Sequence, residues 1–239
     1  MREEVMSGAV LFPRTSARAE ARRPQRNAPA AEGWDPEDFA LEQIRGLVRR
    51  VFFSNVERSV RQVVFSALDA DTDVKSICRS VGEALAVETV SNVAVVGEYP
   101  QVLPDGEMYQ TEMSARSAGS ESTTLRQAAN RLRRNLWLVP HVERDGDTGA
   151  TALLHSHLGA MRREFEYSIV EAPSAGESNQ AMAMAQFADG IILVLSADRT
   201  RRIRARKIVE VFEAAEARIL GTVLSDRVFP IPEGIYRRL

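Results

Sequence analysis

The chain has 239 residues, of which 44% are hydrophobic and 27% are charged, and its formal net charge is −2. This composition is that of a soluble globular protein with one α/β domain, or at most two small ones. The near-neutral charge provides no general attraction for nucleic acid, so no nucleic-acid partner is expected. Cys78 is the single cysteine, which excludes an internal disulfide and a cysteine-rich metal site. No apolar run reaches the roughly 18 residues of a membrane-spanning helix, so a cytoplasmic protein is expected.

The first part of the chain differs in composition from the rest. Residues 1–33 are rich in Arg, Ala and Pro and lack a sustained apolar period, so they are predicted to be a disordered tail. From Trp34 onwards the pattern is that of a folded domain, which spans residues 34–239. Asp35 followed by Pro36 is typical of a helix start, and apolar residues recur at helical spacing after it.

Apolar runs then alternate with helical patterns. Strands are predicted at Gln62–Leu68, Asn92–Val96, Leu136–Val139, Tyr167–Ala172, Gly190–Ser196 and Ile219–Leu224. Helices are predicted at Val74–Glu88, Thr123–Arg133, Ala150–Glu164, Asn179–Phe187 and Thr200–Ala215. Because the strands are continuous apolar runs, both faces of the sheet should be buried, as in a doubly wound, mainly parallel α/β sheet between two helical layers. A Ser-, Glu- and Gly-rich stretch within residues 100–122 is predicted to be a flexible loop.

The segment from Asp69 to Ser76, DADTDVKS, connects the first apolar strand to the next helix. A phosphate-binding loop has this placement and the pattern G-x-x-x-x-G-K-[ST]. Lys75 and Ser76 match the last two positions of the pattern, whereas Asp69 and Val74 stand at its two glycine positions. The alternative interpretation is structural, since a Ser near the first turn of a helix commonly satisfies free backbone N–H groups.

Five stretches follow one another in the order of a known family. They are VFSA with DADTDVKS, NVAVVGEYP, EFEYSIVEAPS, FADGIILVLSADRTRR and ARILGTVLSDR. From about Phe39 to Leu239 the chain resembles the bacterial tyrosine kinases of capsule and exopolysaccharide synthesis, which are P-loop proteins related to the MinD and ParA ATPases. The resemblance implies a P-loop NTPase-like fold and, in a working member, ATP and Mg²⁺ as cofactors.

The chain departs from the family's pattern at each part of the nucleotide site. A loop without glycines cannot wrap a phosphate closely, and Asp69 adds a repulsion of about 1 to 4 kcal/mol at roughly 4 Å. The family's second strand ends in two aspartates, where this chain has Gly97 and Tyr99 on either side of Glu98. Glu171 replaces the Walker B aspartate, unless it only caps the next turn. Because phosphoryl transfer depends on positioning and electrostatics, these changes predict an impaired site, with no cofactor expected.

Two further family features concern oligomers and phosphorylation. The family's E-x-x-R-x-x-R helix, which packs subunits into a ring, is matched only by Glu42 and Arg45, because the third position is Val48. These two residues are candidate oligomer contacts, or an ordinary intrahelical ion pair. The family's C-terminal tyrosine cluster is reduced to Tyr236, a candidate phosphate acceptor.

A strongly basic stretch lies between residues 199 and 207. Arg199, Arg201 and Arg202 are candidate contacts for a partner, a phosphate or lipid headgroups. The alternative is a solvated helix face, for which three apolar side chains are predicted to turn inward: Ile203, Ile208 and Val211. The three histidines show no metal-ligand spacing, so no metal site is predicted.

The sequence thus predicts a catalytically impaired, tyrosine-kinase-like P-loop protein that regulates or binds a partner in exopolysaccharide synthesis and export. The expected partner is a cytoplasmic segment of a membrane protein for polysaccharide chain length or export, which would bring the chain to the inner membrane, and a homo-oligomer is a further expectation. The alternative is an active tyrosine autokinase or weak ATPase using Lys75, Ser76 and Glu171 with ATP and Mg²⁺. A MinD- or ParA-like positioning protein is disfavoured, because it also needs the glycine loop.

Overall fold

A computed structural model describes residues 9–13, 36–54, 59–99, 101–102, 108–109, 125–141 and 150–227. The strands are β1 (Ala9–Pro13), β2 (Gln62–Ala67), β3 (Val93–Gly97), β4 (Gln101–Val102), β5 (Met108–Tyr109), β6 (Asn130–Arg133), β7 (Leu136–Pro140), β8 (Tyr167–Ala172), β9 (Gly190–Ser196) and β10 (Ile219–Arg227). The helices are α1 (Pro36–Val48), α2 (Val74–Glu88), α3 (Leu125–Ala128), α4 (Ala150–Glu164), α5 (Gln180–Phe187) and α6 (Arg202–Ala214). A π-helical turn, Arg49–Phe53, continues α1.

In the described part of the chain, eight strands form one sheet in the order β1-β10-β9-β2-β8-β3-β7-β6. Neighbouring strands are parallel except β6 and β7. Strand β2 lies in the interior, where Val64 is opposite Val170 of β8 on one side and Ile191 of β9 on the other. The predicted doubly wound, mainly parallel sheet is confirmed.

Helices cover both faces of the sheet because side chains of each strand alternate between two apolar layers. On one face, Phe65 of β2 belongs to a buried cluster with residues of α1, the π-helical turn and α2. On the other face, Val64 belongs to a cluster with residues of α4, α5 and α6, such as Met161 and Phe212. The result is a three-layer α/β/α domain in which the loops after β2, β3, β8 and β9 share one edge of the sheet.

The structure differs from the prediction at two places. Strand β1 lies within the predicted tail and pairs with β10, whose outer edge would otherwise leave backbone groups unpaired. The helix predicted at Thr123–Arg133 was wrong, because only α3 is helical and β6 turns back along β7. The turn between them is held by Asn135, whose side-chain amide donates to three backbone carbonyls near the end of α2.

Several predictions fall on parts of the chain that the structure does not describe. Apart from β4 and β5, the predicted flexible loop at 100–122 lies outside the described residues, as does Tyr236. Among the described helices, none is long and apolar enough to cross a bilayer.

Candidate functional site

The candidate site is the loop from β2 to α2, which occupies the place of a phosphate-binding loop. Strand β9 and the segment that follows β8 hold this loop by its backbone. The Ala175 N–H donates to the carbonyl of Ala67 at 2.8 Å, and the Ser174 hydroxyl donates to the carbonyl of Leu68 at 3.1 Å. The Leu68 N–H donates to the carbonyl of Val194 in β9 at 3.1 Å. The loop therefore lies at the carboxyl edge of the sheet, where α/β proteins bind ligands.

Asp69, at the first glycine position, is paired with groups at the start of α6. The Thr200 hydroxyl donates to Asp69 Oδ2 at 2.5 Å, and Arg204 Nη1 lies 3.0 Å from Asp69 Oδ1. The Asp69 side chain is only 16% exposed. Its negative charge is therefore compensated within the protein, which the sequence alone did not reveal because Asp69 and Arg204 are 135 residues apart.

Arg204 also lies against Gly176, a residue that the sequence analysis did not single out. A Cβ at position 176 would be 2.5 Å from Arg204 Nη2 and would overlap the Leu68 carbonyl oxygen as well. Only glycine leaves room for the guanidinium between the segment after β8 and the loop after β2. Gly176 and Arg204 thus act together to close the site from the side of α6.

Hydrogen bonds within the chain occupy the start of α2 and the loop before it. The Thr72 N–H donates to the carbonyl of Asp69 at 3.1 Å. Asp73 is the N-cap of α2, and its carboxylate accepts from the Ser76 N–H at 3.0 Å and from the Ser76 hydroxyl at 2.6 Å. Val74, at the second glycine position, is buried in the core. The end of α2 that would receive a phosphate therefore already holds a carboxylate of the protein.

Lys75 turns towards the loop that follows β3. Its Nζ donates to the backbone carbonyl of Glu98 and lies 5.2 Å from the centre of the Tyr99 ring. The lysine is thus held by the carbonyl of Glu98 and by the aromatic face of Tyr99, which stands at one of the two aspartate positions. The Glu98 side chain itself is exposed.

Glu171, at the Walker B position, points its carboxylate across the sheet edge at Gly97. Its Oε2 is buried without a hydrogen-bond partner among the described residues, and a Cβ at Gly97 would overlap it. Burial raises the pKa of the Glu171 carboxyl above its ordinary value, an effect that Lys75 opposes and that Glu98 and Asp73 increase. Gly97 therefore provides the space for Glu171, and the longer side chain fills the gap left by the missing aspartates.

The structure thus brings five of the candidate residues to one edge of the sheet: Asp69, Val74, Lys75, Ser76 and Glu171. Each of the four polar side chains in this set is held or enclosed by other parts of the chain. A nucleotide phosphate fits this arrangement poorly, because the helix start, the lysine and the first loop position are each occupied by protein groups.

Comparisons with known proteins agree with this geometry at the level of the fold. No protein-family model and no curated protein matches the sequence. Among solved structures, the kinase domain of the Escherichia coli tyrosine kinase ETK superposes with a TM-score of 0.66 at 13% identity, covering 93% of this chain and 91% of that domain. The chain has a bacterial tyrosine kinase fold.

Two further solved structures share this fold. The BceF tyrosine kinase domain has a TM-score of 0.60 at 14% identity, covering 79% of this chain and 78% of that one. The MinD cell division protein of Aquifex aeolicus has a TM-score of 0.53 at 16% identity, covering 71% and 70%. The tyrosine-kinase-like, P-loop NTPase fold predicted from the sequence is confirmed, and at these identities the likeness extends to the fold alone.

The candidate oligomer residues Glu42 and Arg45 form an ion pair within α1. Arg45 Nη1 lies 2.5 Å from Glu42 Oε1, and both side chains are well exposed. Arg49, one position beyond the family's spacing, instead pairs with Glu88 of α2 at 2.8 Å. Within the described residues, these contacts are those of an ordinary exposed helix surface, and the predicted oligomer contact stays a prediction.

The basic stretch at 199–207 divides into two groups. In the first group, Arg199 pairs with Asp71 at 3.3 Å and Arg204 pairs with Asp69, so α6 and the segment before it are joined to the loop after β2. The second group has no ion pair among the described residues: Arg201, Arg202, Arg206 and Lys207. The prediction that Ile203 and Val211 turn inward was wrong, since they are 78% and 50% exposed. Ile208 is partly buried against the core, because that face of α6 is the one that packs on the sheet.

The histidines do not assemble a site. His157 Nε2 is buried without a hydrogen-bond partner among the described residues. Burial, with a smaller effect of His141, lowers the pKa of His157 to about 4. The part of the chain that the structure describes contains no group of three His, Cys, Asp or Glu side chains that could hold a metal ion.

Proposed function

We propose that this chain is a tyrosine-kinase-like P-loop protein that does not transfer phosphate and instead regulates or binds a partner in exopolysaccharide synthesis and export. The observation that carries the proposal is the Asp73 carboxylate at the start of α2, which accepts from both the N–H and the hydroxyl of Ser76. In a P-loop these positions serve a nucleotide phosphate and its Mg²⁺. A carboxylate fixed there repels a phosphate, and it occupies the hydrogen-bond donors that a phosphate would use.

The surroundings of the loop support the same proposal. Lys75 donates to the Glu98 carbonyl, and Asp69 is held by Thr200 and Arg204. A nucleotide phosphate at this loop would have to compete with these contacts for Lys75 and would meet the Asp69 carboxylate. Because catalysis of phosphoryl transfer consists largely of positioned charges, a loop arranged in this way lacks the means for it.

The tyrosine-kinase fold and the exposed surfaces outside the loop support a proposal about the partner. We propose a cytoplasmic segment of a membrane protein for polysaccharide chain length or export as the partner, which places the chain at the inner membrane. The candidate contact surfaces are α1 around Glu42 and Arg45 and the basic stretch that includes Arg199, Arg201 and Arg202. A homo-oligomer through α1 is part of the same proposal.

A titration of the full chain with ATP and Mg²⁺, followed by calorimetry and by thermal shift, tests the loss of nucleotide binding. We expect no saturable signal below millimolar ATP for the wild type, and no difference for Lys75→Ala. Micromolar binding that Lys75→Ala abolishes would overturn the proposal. That outcome would favour the active kinase or ATPase, in which Lys75, Ser76 and Glu171 act on ATP and Tyr236 accepts phosphate.

The double variant Asp69→Gly, Val74→Gly is the complementary test. It restores the two glycines, so the loop backbone regains the freedom to wrap a phosphate. If the missing glycines and the Asp69 charge are the main obstacle, ATP affinity should rise above that of the wild type. The unfolding temperature of each protein is measured in parallel, because an altered loop could also weaken the fold.

A further inference from the structure

One face of α6 is unexplained by the fold and by the candidate site. Six exposed side chains form it, and we call them the α6 patch: Arg201, Arg202, Ile203, Arg206, Lys207 and Val211. Ile203, Lys207 and Val211 are four residues apart, so they follow one side of the helix over about 12 Å. The patch contains four cations and two apolar side chains, and two exposed carboxylates, Glu210 and Glu213, lie on the same side of the helix towards its end.

The cations of the patch differ from the other two arginines of this stretch in having no ion pair among the described residues. Arg199 and Arg204 of the same stretch have carboxylate partners in the loop after β2. Among the described residues, the four cations of the patch have no ion pair and no side-chain hydrogen bond. They form a local positive field on a chain whose net charge is −2.

The patch does not contribute to the stability of the fold. Its cations stand at the start of α6, where the first turn has no acidic residue and the helix dipole disfavours positive charge. Ile203 is 78% exposed, so its side chain gains little from folding. An anionic partner with an apolar layer beneath its charges would compensate for both features.

We propose that the α6 patch docks onto the surface of an anionic lipid bilayer. The Arg and Lys side chains would lie among the headgroups, and Ile203 would insert between them. A convex helical ridge suits a flat surface, whereas an acidic peptide usually binds in a groove or along a free strand edge. With four cations and one well-exposed isoleucine, binding is weak and reversible, and a membrane protein partner would supply the second anchor.

This inference does not depend on the state of the nucleotide site, so it and the proposed loss of nucleotide binding can fail separately. The test is sedimentation of the full chain with vesicles of phosphatidylcholine and phosphatidylglycerol in equal amounts, compared with pure phosphatidylcholine. The wild type should bind the anionic vesicles only. Raising the salt from about 0.1 M to 1 M shortens the Debye length from about 10 Å to 3 Å and should release it.

Three variants locate the contact. Arg202→Gln with Lys207→Gln should lower the partition coefficient about 25-fold, since each cation near an anionic surface contributes about fivefold. Ile203→Ser should weaken binding but keep its salt dependence. The matched control is Arg134→Gln with Arg163→Gln, which removes two exposed arginines that have no ion pair among the described residues, and it should bind like the wild type.

Circular dichroism of each variant verifies that the fold is intact. Binding to neutral vesicles as strong as to anionic ones would overturn the proposal. So would equal losses in the patch variant and the control variant. Absence of vesicle binding, with patch-dependent binding of polyglutamate or duplex DNA, would assign the α6 patch to a different partner.

Discussion

Replacing Asp73 by alanine tests the most informative contact of the candidate site. The variant loses the hydrogen bonds from the Ser76 N–H at 3.0 Å and from the Ser76 hydroxyl at 2.6 Å. An N-cap contributes about 1 kcal/mol, and a carboxylate at the positive end of a helix contributes about 0.3–1 kcal/mol. The expected destabilisation is about 1.5 kcal/mol, which for a chain of this size lowers the unfolding temperature by about 3–6 °C.

The same loop offers a matched control for this prediction. Asp71 carries the same charge, but its side chain is 85% exposed, and among the described residues its ion-pair partner is Arg199, at 3.3 Å. Asp71→Ala should therefore change stability by less than about 0.5 kcal/mol. Asp73→Asn should recover most of the loss, since asparagine caps helices about as well as aspartate. Thermal and urea unfolding followed by circular dichroism measure all three variants.

Phosphate provides the functional part of this experiment. If Asp73 occupies an anion site, Asp73→Ala exposes the free N–H groups of α2 to solvent. Inorganic phosphate at constant ionic strength should then stabilise Asp73→Ala more than the wild type. Equal destabilisation by Asp71→Ala and Asp73→Ala would refute the reasoning about the cap. Equal stabilisation of variant and wild type by phosphate would refute the reasoning about the anion site.

Two other predictions concern packing and protonation. Gly82→Ala should destabilise by about 1–2 kcal/mol, because its Cβ would overlap Val95 Cγ2 and overpacking outweighs the better helix propensity. A Cβ at Gly46 would meet nothing within 4 Å, so Gly46→Ala should increase the free energy of unfolding by about 0.5–1 kcal/mol. Urea unfolding measures both variants, and a change of the same sign in both free energies would contradict this explanation. The pKa of His157 is lowered from 6.5 to about 4, so between these values the folded state binds fewer protons than the unfolded state. The free energy of unfolding should therefore fall as the pH drops from 6.5 to 4, by up to about 3 kcal/mol. His157→Gln should flatten that pH dependence of the urea midpoint, and an unchanged slope would exclude His157 as its source.

The elements with strong local patterns were predicted closely. The bounds of α2, α4, β8 and β9 match the predicted ones, because each is a continuous apolar run or a regular helical period with its own start and stop signals. Helix α1 begins at Pro36, where the N-terminal proline signal placed it. Strand β6 was missed because it is short and largely exposed, so its conformation depends on pairing with β7.

The residues of the candidate site were likewise found from the order of motifs, but their contacts were not. The sequence placed Lys75, Ser76 and Glu171 at the carboxyl edge of a parallel sheet. It also indicated, from the missing glycines, that the loop differs from a working P-loop. These conclusions depend only on spacing and on residue type, which the chain displays locally.

The tertiary structure decided which charges meet. From the sequence, Asp69 is predicted to face a phosphate. In the folded chain it contacts Arg204 and Thr200, and Gly176 leaves room for the Arg204 guanidinium. Ile203 is predicted to be a core residue, but the face of α6 that packs on the sheet does not include it, so it is exposed beside four cations. Sequence periodicity determines that a helix or strand forms, whereas ion pairs and the exposed face of α6 depend on distances between segments far apart in the chain, which only packing establishes.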